Sequence, residues 1–201
     1  CEAEEVTLLV PRRRADPLAA LPYCPTWGAF VVETVVGLVR RDTRRVAEDD
    51  LLAWGRRYLP DYFVLPPSEL HRWLAAEFAQ RASDRGWKLN VIGPRGAAKS
   101  TLASLAYPLR MALEHRESYI WIVSDTRQQA YLHLENVKAE LLDNPLLAAD
   151  YPDATGQGPV WRAGKVHLTN GVAIEAFGTG QRVRGRRYRT KRPTLIVCDD
   201  L

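Results

Sequence analysis

Leu89-Asn90-Val91-Ile92, then Gly93-Pro94-Arg95-Gly96-Ala97-Ala98-Lys99-Ser100-Thr101, then Leu102-Ala103-Ser104-Leu105-Ala106 is the stretch whose reading decides the fold. The apolar run predicts a strand over Trp87 to Ile92, the glycine-containing segment a loop, and the residues from Lys99 towards Glu114 a helix bent at Pro108. Strand, loop, Lys-Ser and helix in that order is the build of a P-loop, in which backbone N–H groups and a helix N-terminus cradle the phosphates of a nucleotide. The residue types follow from that task. Gly93 and Gly96 leave room for the backbone to approach phosphate, Lys99 reaches the β and γ phosphates, and the Ser100 hydroxyl ligates magnesium. The usual pattern is G-x-x-x-x-G-K-[ST], and Ala98 stands where its second glycine belongs. A methyl group is tolerated there if the residue keeps a negative φ.

The same chemistry needs a carboxylate. Leu195-Ile196-Val197-Cys198-Asp199 has the form of a Walker B strand, four apolar residues lifting Asp199 to the magnesium. Asp200 follows, where additional-strand P-loop ATPases usually place a glutamate that polarises the attacking water. Either this shorter aspartate acts as the base through a shifted water, or the base lies beyond Leu201. Taken alone, the two acids read equally as a strand-terminal turn; the upstream loop and the intervening βα unit supply the context the motif demands. Arg95 inside the loop is either a contact to the γ phosphate or a solvated side chain.

A chain of 201 residues suffices for one α/β domain with a sizeable core. Its net charge of +4 comes from arginines gathered at Arg12 to Arg14, Arg40 to Arg45 and Arg182 to Arg192, which favours polyanion partners. Cys1, Cys24 and Cys198 are odd in number and widely spaced, arguing against a disulfide framework and for a reducing compartment. His71, His115, His133 and His167 show no ligand spacing, so no zinc site is expected. No run of eighteen or more apolar residues and no charged-then-apolar leader is present, so neither a membrane span nor a signal peptide is expected. The chain begins at Cys1 and stops one residue past the acid pair, so both ends read as cut.

Residues 1 to about 25 mix acids, arginines and four prolines and read as an arm or linker. Trp27 to Val39 is a buried helix or strand. Glu48 to Leu59 predicts a helix with Leu51, Leu52, Trp54 and Tyr58 on one face and Pro60 as its stop. Ser68 caps a helix to about Arg81 with Leu70, Trp73, Leu74 and Phe78 at helical spacing, either a core-packing face or a segment beside the nucleotide base. Ser83 to Gly86 is a turn. Tyr119 to Val123 predicts a parallel strand covered on both faces. Ser124-Asp125-Thr126 caps a long helix to Asp143 carrying Ala130, Leu134, Val137 and Leu141 on one stripe, and Asn144-Pro145 ends it. Residues 150 to 164 read as loop, and Lys165 to Leu168 with Val172 to Phe177 as a hairpin turning at Asn170-Gly171.

The loop Gly178 to Pro193 is dense in arginine. Arg182, Arg184, Arg186 and Arg187 are candidates for contact with a DNA backbone, for delivery to a neighbouring subunit's nucleotide, or for plain solvation.

Several ordered segments now carry a family resemblance: Tyr62-Phe63 with His71, PRGAAKST over Pro94–Thr101, YIWIVSDT over Tyr119–Thr126, ELLDNPLL over Glu140–Leu147, NGVAIEAFGTGQRVRGRR over Asn170–Arg187, and RPTLIVCDDL over Arg192–Leu201. Together they resemble the ATPase domain of phage terminase large subunits, the motors that package viral DNA. The resemblance runs from about Tyr62 to Leu201 and covers only the first of the two domains such proteins normally have. It implies an ATP-driven translocase of double-stranded DNA, assembled as a homo-oligomeric ring with the portal protein and the small terminase subunit, in the cytoplasm of an infected or lysogenic bacterial host and away from membranes. By motif, Gly93 through Thr101, including Pro94, Gly96, Ala97 and Ala98, would bind ATP; Ser100 and Asp199 would hold Mg2+; Lys99, Arg95 and Asp200 would take catalytic positions. Two departures stand out: no glutamine lies at Ser68 to His71, where the family often places its adenine contact, and Asp200 replaces the commoner glutamate.

The expected fold is therefore an α/β P-loop NTPase of the additional-strand type. Residues 1–60 form an arm and helical lead-in, and residues 61–201 an ATPase domain with a mainly parallel sheet flanked by helices. That sheet is incomplete at its C-terminal end, because the resemblance inserts a later strand between the P-loop strand and the Walker B strand. The nuclease domain is not encoded, and this segment alone is expected to hydrolyse ATP poorly. Two rivals share part of the evidence: a helicase-like nucleic-acid-dependent ATPase, and a non-catalytic DNA-binding or assembly remnant.

Overall fold

The structure, a computed structural model, describes residues 50–81, 86–94 and 96–200, all within one compact unit, Arg44–Leu201. The arm, the Trp27 to Val39 run, the first two arginine clusters, most of the Ser83 to Gly86 turn, Arg95 and Leu201 lie outside the described residues.

Among the described residues five strands form one open mixed sheet: β1 (Tyr119–Ser124), β2 (Val160–Arg162), β3 (Lys165–His167), β4 (Ala173–Gly178) and β5 (Leu195–Asp199), in the order β2-β3-β4-β1-β5. The trio β4-β1-β5 is parallel, while β2 pairs with β3, and β3 with β4, in antiparallel fashion. The sheet is thus mixed rather than mainly parallel. Its antiparallel wing begins where Asn170-Gly171 turns the chain: Gly171 sits at φ +85°, a conformation open to glycine, and the Asn170 carboxamide accepts from Val172 N–H at 3.1 Å. β2 falls in the segment read from sequence as loop; three residues between glycines are too few for a period to show.

Side chains alternate across the strands. Ile120, Ile122, Val166, Ile174 and Ala176 enter the main core beneath the helices, and Tyr119, Trp121, Ala173 and Phe177 form a second cluster on the opposite face. The helices are α1 (Leu51–Tyr58), α2 (Glu69–Gln80), α3 (Tyr107–Leu113), α4 (Arg127–Asp143) and α5 (Pro145–Asp150). Along α4 the expected stripe Ala130, Leu134, Val137 and Leu141 is buried, and Thr126 caps its first turn. In α2, Leu74 and Phe78 are buried, but Trp73 lies outside the core at 45% exposure. Helix α1 is built into the same core: Trp54 Nε1 donates to Tyr151 Oη at 3.1 Å, and Arg57 and the Tyr58 hydroxyl both donate to Asp150. Burial pushes the Tyr58 phenol pKa up, so it stays protonated as that donor.

Two sequence expectations are corrected. Trp87 to Ile92 forms no strand. It alternates as a strand should, with Trp87, Leu89 and Val91 packed on the core and Lys88, Asn90 and Ile92 exposed, yet it has no ladder partner. Side-chain alternation is local, whereas pairing needs a neighbour, and among the described residues β5 is the last strand on its side of the sheet. The helix after the loop is also not one bent α-helix: Thr101–Ala106 is a π-helix that passes into α3, with Tyr107 N–H reaching Leu102 O five residues back. Pro108 supplies the cause. It has no N–H for the carbonyl four residues before it and its ring crowds that carbonyl, so the wider turn removes the clash.

Asn144 joins these parts. It ends α4, caps α5 with its carboxamide oxygen on Leu146 and Leu147 N–H at 3.1 Å each, and donates its amide to Tyr58 O at 2.6 Å. The sequence marked Asn144-Pro145 as a stop; it is a stop and a restart, with Pro145 at the first helical position. Asn144→Ala should destabilise the fold by about 1–2 kcal/mol, read as a lower urea midpoint at unchanged m-value.

Candidate functional site

The carboxyl ends of parallel strands are where open α/β sheets bind ligands, and here β1 ends at Ser124 and β5 at Asp199, hydrogen-bonded neighbours in register. Asp125 N–H donates to Asp200 O at 3.2 Å, continuing that pairing past the strands. Gly178 closes the third strand end: a Cβ there would stand 2.5 Å from Arg127 N, so only glycine lets β4 abut the start of α4.

An open cleft of about 990 Å³ lies against these ends, lined by Gly96, Ala97, Ala98, Lys99, Ser100, Asp125, Gln129 and Asp200. The loop and the acid pair are thereby brought together. Ser100 Oγ donates to Asp199 Oδ1 at 3.1 Å, and Ser104 Oγ, one turn on and buried, donates to Asp199 Oδ2 at 2.7 Å. His133 Nε2, from α4, stands 3.4 Å from the same Oδ2. Lys99 Nζ donates to Gly93 O at 2.9 Å and Pro94 O at 2.7 Å, so among the described residues its ammonium is held by loop carbonyls and by no carboxylate. Gly93 eases that arrangement, because a Cβ would meet Lys99 Cδ at 3.3 Å and Leu70 Cδ2 at 3.4 Å and those side chains would have to shift slightly.

Ala98 adopts φ +48°, not the negative φ expected of it. The chain turns through the left-handed region there to bring Lys99 and Ser100 into the helix that follows, which is the conformation a glycine at this place serves. Asp200 shares the feature at φ +50°. Thr101, counted with the loop from sequence, starts the π-helix and does not line the cleft. Arg95 lies outside the described residues.

Reasoning from sequence missed Ser104, His133 and Gln129. Signals were there: Ser104 is the one polar residue in an apolar turn and lies four residues after Ser100, and Gln129 and His133 are four apart beside the buried stripe of α4. Among the described residues no group of three or more His, Cys, Asp and Glu could hold a metal ion. The ligands here would be a hydroxyl and one carboxylate.

The arginine-rich loop has a different geometry from the one read in the sequence. β4 and β5 are parallel neighbours of β1, so residues 179–194 must return across the sheet, and they do so over the second cluster, where Val183 and Tyr188 pack. Arg186 is the anchor: its guanidinium reaches Glu175 Oε2 at 3.3 Å and lies 4.8 Å from the centre of the Phe177 ring, while Lys165 holds Glu175 Oε1 at 2.7 Å. Glu175 is only 4% exposed while both cations reach solvent, so removing either leaves a buried carboxylate with a single partner. Arg182, Arg184 and Arg187 are exposed, with no partner among the described residues.

The His167 ring packs against Tyr188 at 4.5 Å with the planes tilted by 53°, and burial, aided by Lys165, lowers its pKa from the ordinary value near 6.5. The folded state therefore excludes a proton the unfolded chain accepts. This contribution is complete above that ordinary value and is lost as pH falls through it. His167→Phe should make the fall in stability between about pH 7 and pH 5 shallower than in the parent chain, measured by urea unfolding at each pH. Ala98→Gly should raise stability by about 1 kcal/mol, since glycine removes the cost of the left-handed turn.

Compared with protein-family models, curated proteins and solved structures, the chain matches none.

Proposed function

We propose that this chain is the ATP-hydrolysing motor domain of a terminase large subunit, which drives double-stranded viral DNA into a procapsid. The observation that carries the reading is the meeting of Lys99-Ser100 with Asp199-Asp200 at one cleft, Ser100 Oγ bonding Asp199 Oδ1 across 99 residues of chain. A P-loop ATPase of the additional-strand type needs these two segments side by side at the carboxyl end of a parallel strand. The ordered set of terminase-like motifs from Tyr62 to Leu201 narrows that class to the packaging motor.

The residues fit magnesium. It takes oxygen ligands, commonly one or two from protein with the remainder from phosphate and water, and Ser100 Oγ and Asp199 Oδ1 are two such donors on adjoining elements. Those two would hold the ion, whose charge offsets that of the β and γ phosphates when it is bound with ATP. Lys99 exchanges the carbonyls of Gly93 and Pro94 for phosphate oxygens, a gain because a bond between two charged partners is stronger than one to a neutral acceptor. Asp200, lining the cleft, orients the attacking water and accepts its proton. By the resemblance, Arg95 would contact the γ phosphate.

The DNA contact falls to Arg182, Arg184 and Arg187, with Arg186 reassigned to holding the loop in place. Portal protein, small subunit and ring formation follow from the same reading, as does action in the cytoplasm of a bacterial host. No helix among the described residues is long and apolar enough to cross a membrane.

Lys99→Ala should weaken binding of MgATP at least tenfold by calorimetry with the fold intact; undiminished binding sinks the ATPase reading. Replacing both Arg184 and Arg187 with alanine should weaken duplex DNA binding and lower the slope of log K against log salt by about 2, while Arg186→Ala should lower the unfolding midpoint instead. A preference for single-stranded over duplex DNA would favour a helicase-like enzyme.

A further inference from the structure

His71 stands at the third position of α2, and both ring nitrogens are engaged. Ser68 N–H donates to Nδ1 at 3.2 Å, while the Ser68 hydroxyl accepts from His71 N–H at 3.4 Å, a reciprocal capping box. A nitrogen that accepts carries no proton, so in the neutral ring the proton sits on Nε2. Nε2 lies 2.7 Å from Ala97 O and therefore donates to it. The cap of α2 thus fixes the tautomer, and the tautomer fixes a bond to the cleft-lining loop.

That bond has a geometric consequence. The peptide between Ala97 and Ala98 is planar and trans, so its C=O and N–H point in opposite directions. Drawing Ala97 O towards α2 turns the Ala98 N–H away from α2. Both Ala97 and Ala98 line the cleft, and Leu70, the neighbour of His71, stands under Gly93 at the other end of the loop. The first turn of α2 therefore supports the loop at two points, one apolar and one a hydrogen bond.

We propose that His71 is a positioning residue for anion binding: by holding Ala97 O, it presents the Ala98 N–H to phosphate in the cleft. The inference rests on the reading of that cleft as a nucleotide phosphate site. His71 then serves the phosphates and not the base, although α2 is the segment that the resemblance would place beside adenine.

Two substitutions separate its bonds. The amide of glutamine reaches about as far as Nε2 and can donate to Ala97 O, whereas asparagine reaches only as far as Nδ1 and can serve the cap. With the full chain, His71→Asn should keep the thermal midpoint near that of the parent yet weaken both MgATP and inorganic tripolyphosphate about tenfold, the worth of one hydrogen bond to a charged group. His71→Gln should bind both within about threefold of the parent. The amide resonance of Ala98 in 15N-labelled chain should move on adding tripolyphosphate to the parent and to His71→Gln, and stay still in His71→Asn. Equal binding by folded His71→Asn, or weakening for ATP but not for tripolyphosphate, overturns the proposal while leaving the nucleotide reading intact. Failure of the parent chain to bind either probe, with Lys99→Ala no different, removes that reading and the proposal with it.

Discussion

The carboxylate of Asp199 is the constraint on which the site depends. Its two oxygens accept from Ser100 and Ser104, hydroxyls four residues apart on one side of the π-helix, and so bind the last strand of the sheet to the element that follows the loop. Hydrogen bonds to a charged acceptor contribute about 1.5–3 kcal/mol each, and those to half-buried Asp199 are among the longest in sequence span that the fold makes. Without them the loop would answer only to its own turns and to α2. With them, Lys99 and Ser100 are fixed relative to the strand ends, which is the registration any phosphate chemistry across the cleft requires.

The features legible in the sequence are those set by neighbours along the chain. The stripe on α4, the caps at Ser68 and Thr126 and the Asn-Gly hairpin each depend on residues within a few positions, and all appear where expected. The features missed are set by distance. Trp87 to Ile92 has the alternation of a strand but no partner, and no local pattern reveals a missing partner. Ser104 and His133 reach Asp199 only after the sheet has formed. The positive φ of Ala98 was hidden for another reason: alanine ordinarily avoids that region, and the bond of Ser100 to Asp199 at the strand end offsets a local cost of about 1–2 kcal/mol.

The two faces of the sheet are covered by different means. Helices and their apolar stripes close one face, and a loop closes the other through Val183, Tyr188 and one ion-paired arginine. A charge-rich connection can serve as a lid because one of its cations, itself half-exposed, meets a buried anion, while its remaining arginines stay in solvent. Cover and charge display are then a single element, so a change at Glu175 would disturb the presentation of arginines it never touches.

The wide turn at Thr101–Ala106 has a consequence for rotation about a helix axis. Each α-helical residue turns the chain by about 100°, so tightening this one turn to α geometry would swing everything before it by roughly that angle relative to α3. Ser100 would then face away from β5, and the loop with it. Pro108, buried in α3, touches nothing in the cleft. It nonetheless sets the azimuth at which the loop meets the sheet, as a keyway sets the angle of a shaft.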